Sequence, residues 1–206
     1  MDGINLADKA NAKAKQNPKT GNSMAKKRES GFTLIELTIA IAILAILAAI
    51  AVPNVIGWLP NHRLKSAARD LVSNFQRAKL EAVKRDRDVV IGFNPGAYTP
   101  GGQVGRYEVF VDNGAGVGVA GNFTRDGSET RILFPVTMPK NVSLYLANFS
   151  GNTTTGFDSR GLALASRSGS VELRNNNSRF ARVTLSIAGC LRLQTSNDGI
   201  NWFNWD

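Results

Sequence analysis

Gly31-Phe32-Thr33-Leu34-Ile35-Glu36-Leu37-Thr38-Ile39-Ala40-Ile41-Ala42-Ile43-Leu44-Ala45-Ile46-Leu47-Ala48-Ala49-Ile50-Ala51-Val52-Pro53 is the stretch that decides the fold. Between Leu37 and Val52 the only polar residue is Thr38. As a helix, Phe32–Val52 would span about 32 Å, enough to cross the hydrocarbon core of a bilayer. A secretory signal has a shorter apolar core followed by a small-residue cleavage site. Here the run is bounded by Pro53, so the segment is expected to stay in the protein. Directly upstream stands Met24-Ala25-Lys26-Lys27-Arg28-Glu29-Ser30, a compact cationic segment. Positive charge marks the cytoplasmic side of a membrane helix, which places everything after Val52 outside.

Upstream of Met24, residues 1–23 are polar, rich in Lys, Ala and Asn, and too poor in apolar groups to order themselves. Downstream, Pro53 and Pro60, with Gly57 between them, are expected to loosen or kink a helix that otherwise continues. Leu64, Ala68, Leu71, Phe75, Ala78 and Ala82 then recur at alternating steps of four and three, one apolar stripe at helical period. The helix is expected to end near Arg85–Asp88. Beyond it, short runs of β-formers are separated by Gly, Asn, Asp and Pro: Val89–Phe93, Tyr107–Val111, Ile132–Val136, Val142–Ala147, Val171–Leu173, Arg182–Ile187 and Leu191–Leu193. Val183, Leu185 and Ile187 alternate with Arg182, Thr184 and Ser186 as one inward face. Gly101–Gly105 and Gly114–Gly121 read as mobile loops. The fold class is α+β: a long N-terminal helix, membrane-spanning in its first half and amphipathic in its second, packed on an antiparallel β-sheet head.

The formal net charge of +9 is unevenly distributed. Residues 1–31 hold 7 basic against 3 acidic residues, and Asn61–Asp88 hold 8 against 4. The head is therefore close to neutral, and the high isoelectric point argues little for nucleic acid. With the single Cys190 no intrachain disulfide can form; it reads as a small residue in a strand. With His62 as the only histidine, a multi-His metal site is excluded. It reads as a solvated side chain at the start of the amphipathic half-helix. Asp112-Asn113-Gly114 lacks the acidic spacing of an EF-hand and reads as a turn. Trp202, Phe203 and Trp205 read as pins of the C-terminus to the core. No catalytic constellation stands out, no enzyme activity is expected, and no cofactor or metal is implied.

The heptapeptide Gly31–Leu37, joined to the basic leader and to an apolar helix interrupted by Pro53, resembles the class III signal of type IV pilins and type II secretion pseudopilins. The resemblance implies a cut by prepilin peptidase between Gly31 and Phe32, with N-methylation of Phe32. It implies that Glu36, the one acidic residue in the apolar run, pairs with the α-amine of Phe32 on a neighbouring subunit. Trp58-Leu59-Pro60-Asn61, Arg63–Leu71 and Ala78–Arg85 are similar to the helix of the H-type pseudopilins, the GspH/FimT group. Phe157-Asp158-Ser159-Arg160-Gly161 and the Arg182–Gly189 strand are similar to that group's head. A Gly-Arg-x-Arg ending, linked to DNA contact in the FimT branch, reads here Gly189-Cys190-Leu191-Arg192, which keeps only the glycine and Arg192.

On this resemblance, residues 1–31 form a cleaved basic leader with translation starting at Met24. Residues 32–59 form the transmembrane and filament-core helix, 60–88 the amphipathic half-helix, and 89–206 a periplasmic β-rich head. The implied function is that of a minor pilin or pseudopilin subunit of a type IV pilus or a type II secretion pseudopilus. Its implied partners are prepilin peptidase, other pilin or pseudopilin subunits, the inner-membrane assembly platform, and membrane lipid before assembly. The alternative is a DNA-binding minor pilin for natural transformation. That reading requires Arg160, Arg167, Arg174, Arg179, Arg182 and Arg192 to cluster, with Arg182 and Arg192 as the contacts in the last strands.

Overall fold

The computed structural model describes residues 31–205. The leader up to Ser30, with Met24 and the Lys26-Lys27-Arg28 cluster, lies outside the described residues. Two compact units divide the chain, one through Ala45 and one from Ile46 onward. In the first, helix α1 (Leu34–Arg85) begins after three non-helical residues and exposes every side chain.

In the second unit α1 remains helical through Pro53 and Pro60. Burial on α1 starts at Pro60 and follows the apolar stripe: Leu64, Ala68, Leu71, Phe75, Ala78 and Ala82 are all buried, joined by Ala67. The helix stops at Arg85 because Asp86 turns into the left-handed region at φ 51. The N–H of Arg87 then reaches back to the carbonyl of Ala82 at 3.3 Å, the six-to-one closure of a Schellman turn made without glycine.

Ten strands follow: β1 (Val89–Asn94), β2 (Gln103–Val104), β3 (Arg106–Val111), β4 (Arg131–Thr137), β5 (Val142–Phe149), β6 (Thr154–Phe157), β7 (Gly169–Asn175), β8 (Phe180–Leu185), β9 (Leu191–Ser196) and β10 (Phe203–Asn204). The head is two sheets rather than the one expected. A four-stranded antiparallel sheet runs β4-β3-β1-β6, and a six-stranded sheet runs β10-β9-β8-β7-β5-β2. The chain passes from the second sheet to the first at the tight turn after β5, where Phe149 and Asn152 exchange hydrogen bonds. The second sheet is also not purely antiparallel, because β2 runs parallel to β5. Thus Gly101–Gly105, expected as a mobile loop, carries a paired edge strand.

Both sheets close on the same helix face. Phe75 stands at their junction, its ring 5.9 Å from Phe93 of β1, 6.3 Å from Phe149 of β5 and 6.3 Å edge-on to Phe157 of β6. Aromatic pairs at such distances add to what area burial alone contributes. Val171, Leu173, Ala181, Val183 and Leu185 complete the core from β7 and β8. Ile187, expected as the next inward residue, lies beyond the end of β8 in a turn and is exposed. Cys190 lies in the same turn, exposed rather than in a strand.

Candidate functional site

The Gly31–Phe32–Thr33 segment occupies an open stretch ahead of the helix. Gly31 has no atom near the position a Cβ would take, and Phe32 is 85% exposed. Thr33 is non-helical, and its Oγ1 accepts the N–H of Glu36 at 3.2 Å. The carboxylate of Glu36 reaches back to the backbone N–H of Thr33 at 3.4 Å. Thr33-Leu34-Ile35-Glu36 is therefore a capping box, in which two unpaired donors of the helix start are satisfied reciprocally. The T-x-x-E spacing was legible in the sequence but escaped notice beside the charge of Glu36. The negative carboxylate also sits at the positive end of the helix dipole.

From Leu34 to Trp58 every residue is exposed, although the run contains the strongest hydrophobicity of the chain. A soluble monomer rarely leaves a contiguous apolar surface of this kind uncovered. Among the described residues this helix is long and apolar enough to cross a membrane. The polar Thr38 fits that setting, because its hydroxyl donates to the carbonyl of Ile35 at 2.8 Å and leaves no unmet hydrogen bond.

Where burial begins, the head holds the helix by polar contacts. Asn177 donates to the carbonyl of Gly57 at 2.9 Å, on the turn that precedes Pro60. Asn175 donates to Asn61 Oδ1 at 2.8 Å. Further along, Asn74 donates to the Tyr107 hydroxyl at 2.7 Å. Lys79 Nζ donates to the carbonyl of Gly189 at 3.1 Å. His62 is exposed and stacks on Trp58, with ring centroids 4.7 Å apart.

The two head segments singled out in the sequence meet at Lys79. Asp158 accepts the backbone N–H groups of Arg160 at 3.0 Å and Leu162 at 2.9 Å, and its carboxylate pairs with the Arg160 guanidinium at 2.7 Å. Burial pushes the Asp158 carboxyl upward, but those hydrogen bonds and the Arg160 charge outweigh it and hold the carboxyl below its usual range. The resulting turn presents the Gly161 carbonyl against Gly189, where a Cβ would come within 2.1 Å of that oxygen. Gly189 also has φ 72, so a side chain there meets both a collision and a strained backbone.

The arginines required for a DNA surface are mostly engaged within the head. Arg160 pairs with Asp158, and Arg167 lies 3.4 Å over the Phe123 ring. Arg174 stacks at 4.1 Å on Tyr98, and Arg179 donates to Asn197. Arg182 pairs at 2.7 Å with Glu172, itself buried, and stacks 3.7 Å from the Trp202 ring. Glu172 also accepts the Tyr145 hydroxyl. Burial, followed by Glu172, pushes the Tyr145 phenol well above its usual pKa. Arg192 is exposed on the same sheet face.

The C-terminal aromatics divide their roles. Trp205 packs on the core, Trp202 lies under Arg182, and Phe203 is 63% exposed at the sheet edge. Asp112 forms a hydrogen-bonded turn: its carboxylate accepts the N–H groups of Gly121 and Phe123 at 2.7 and 2.8 Å. The Gly114–Gly121 segment, expected as a mobile loop, is thereby tied down. Among the described residues no cluster of metal-ligating side chains is present.

A family model described as Prokaryotic N-terminal methylation motif matches residues 26–52. A second, described as Type II transport protein GspH, matches residues 67–189. Over 50 residues the chain is 44% identical to the type II secretion system core protein G of Aeromonas hydrophila, covering 24% of this chain and 35% of that protein. Over 60 residues it is 42% identical to the type IV major pilin protein PilA of Myxococcus xanthus strain DK1622, covering 29% of this chain and 27% of that one. The chain thus matches about a third or less of the length of either relative. Among solved structures, the type IV minor pilin FimU of Pseudomonas aeruginosa PAO1 aligns with TM-score 0.45 and 19% identity, covering 65% of this chain and 89% of FimU. A second crystal form of FimU aligns with TM-score 0.42 and 20% identity, covering 63% and 91%. Because the GspH match runs over more than half of the sequence, the chain belongs to the GspH family of type II transport proteins.

Proposed function

We propose that this protein is a minor pilin or pseudopilin subunit of a type IV pilus or a type II secretion pseudopilus. Translation starts at Met24, and prepilin peptidase removes the basic leader through Gly31 by cutting between Gly31 and Phe32; Phe32 is then N-methylated. Residues 32–59 hold the subunit in the inner membrane and then form the filament core, with Pro53 and Pro60 loosening the helix. Residues 60–88 join that helix to the periplasmic head, 89–206. The assembly platform moves the subunit from lipid into contact with other subunits, where Glu36 pairs with a neighbour's Phe32 amine. The family is one of structural subunits, and the chain is read as having no catalytic role.

The single observation that carries this reading is the position of the motif. The Gly31–Phe32 bond lies in an open stretch directly before an exposed apolar helix, inside the residues matched by the methylation motif. An uncovered peptide can enter a protease, and an uncovered apolar helix can exchange lipid for other helices without refolding. No observation favours the DNA-binding alternative, since the side chains it requires are largely held by partners within the head.

Gly31→Val tests the reading in cells that contain the peptidase. The expected result is an unprocessed chain on gels, still in the membrane fraction and missing from sheared filaments. Normal processing of that variant would contradict the proposed cut. Deleting residues 1–23 is expected to leave processing intact, and loss of insertion in that deletion would contradict a start at Met24.

A further inference from the structure

The outer face of the four-stranded sheet, away from α1, holds a cleft of about 470 Å³ that filament assembly through the helix does not use. Its floor is Gly92 of β1, where no side chain fills the space. Around it stand Arg106 and Phe110 of β3, Pro135 of β4, and Phe123 and Arg125 from the segment between β3 and β4. This roof is fixed by two buried carboxylates. Asp112 accepts the N–H groups of Gly121 and Phe123, while Glu129 accepts those of Asn113, Gly114 and Asp126. A loop held by five such bonds is ordered before any ligand arrives, which lowers the cost of binding.

The charges in the cleft do not cancel. Glu108, the one carboxylate of the lining, is engaged by Arg131 at 3.1 Å. Among the described residues neither Arg106 nor Arg125 has a carboxylate partner within 4.0 Å. The Nε of Arg125 is shielded from solvent and has no hydrogen-bond acceptor among the described residues. A shielded donor without a partner is unfavourable until an acceptor reaches it. A guanidinium fork matches the two oxygens of a carboxylate. Phe123 and Pro135 place apolar surface beside those cations, above the buried Phe110 ring. Along one side runs β4, an edge strand paired only with β3, whose outer backbone groups are open to an extended chain.

We infer that this cleft recognises an acidic peptide segment of a protein partner. Arg106 and Arg125 take a carboxylate, and an adjacent apolar side chain of the segment rests on Phe123 and Pro135. Free inorganic anions would meet the cations but gain nothing from the apolar rim, which favours a peptide.

The test uses the full chain, labelled with nitrogen-15 in detergent micelles and followed by NMR. The probe is the blocked peptide acetyl-Leu-Asp-Glu-Leu-amide, with acetyl-Leu-Asn-Gln-Leu-amide as its neutral counterpart. Saturable shifts of the Arg125 Nε–H signal and the Gly92 amide are expected with the acidic peptide and not with the neutral one. Joint replacement Arg106→Gln and Arg125→Gln should weaken binding at least tenfold, with the remaining spectrum unchanged. Equal response to both peptides, or shifts confined to other residues, would overturn the inference. Inorganic phosphate binding as tightly as the acidic peptide would overturn the choice of a peptide. Should the double variant fail to fold, the wild-type titration with the two peptides still decides.

Discussion

Glu36 contributes to the start of α1 in two separable ways. Its carboxylate oxygen closes the capping box on Thr33, and its charge is available to a neighbouring amine. Gln serves a capping box nearly as well as Glu but carries no charge, whereas Leu does neither. Under the proposed assembly, Glu36→Gln and Glu36→Leu are both inserted and cleaved, and both enter filaments poorly, as read by recovery in the sheared fraction. Normal incorporation of Glu36→Gln together with failure of Glu36→Leu would leave the helix cap as the sufficient cause. Arg182 gives a second test at this scale. It is the partner of a carboxylate only 7% exposed, so Arg182→Ala leaves Glu172 buried beside Tyr145. The expected loss is about 1–3 kcal/mol in chemical denaturation, discounted for the 27% exposure of the arginine itself. Asp158 supplies a pH dependence. Its folded pKa lies below the unfolded value of about 3.9, so its contribution is complete above that pH and is lost as pH falls through the folded value. Thermal unfolding followed from pH 6 downward should show this loss in the wild type, with the Asp158→Asn variant lacking that component.

Elements were legible where one physical signal dominated. The α1 stripe was readable because a 3.6-residue period over twenty residues has no strand equivalent, and the structure buries every member of it. Strand β6 was missed because Thr154-Thr155-Gly156-Phe157 alternates weakly and contains a glycine. That glycine is there for packing: a Cβ at Gly156 would meet the Val89 carbonyl at 2.3 Å, so β1 and β6 can approach only without it. Gly156→Ala is expected to cost about 1–3 kcal/mol and to lower the melting temperature without changing the end of α1. Phe75→Ala should cost more, about 3–5 kcal/mol, because its ring fills the junction between the two sheets. The split into two sheets could not be read from pattern alone. The chain changes sheet between β1 and β2, β2 and β3, β4 and β5, β5 and β6, and β6 and β7, and alternation tells which face of a strand is buried without telling which sheet it joins. The loop between β3 and β4 hid its order for a similar reason. Glycines advertise freedom, while the carboxylates that remove it act at a distance in sequence, Asp112 across nine and eleven residues and Glu129 across up to sixteen.

At the scale of the whole molecule, the methylation motif and the GspH match lie on one chain, over residues 26–52 and 67–189. The cleavage motif, the cap and the membrane-length run were legible because each is local and chemically sharp. The outer cleft was not, since Gly92, Arg106 and Arg125 converge only after β1, β3 and the intervening loop fold together. The GspH match covers the amphipathic half-helix from Ala67 onward and most of the head, and the methylation motif covers the earlier apolar run. The central claim is that a subunit made with a cytoplasmic leader becomes a filament component through cleavage at Gly31–Phe32. Mass spectrometry of the chain purified from cells with active prepilin peptidase tests it most directly. The expected product is a mature polypeptide beginning at Phe32 and carrying one methyl group on its α-amine. An unmodified chain that still begins at residue 1 or at Met24 would contradict it.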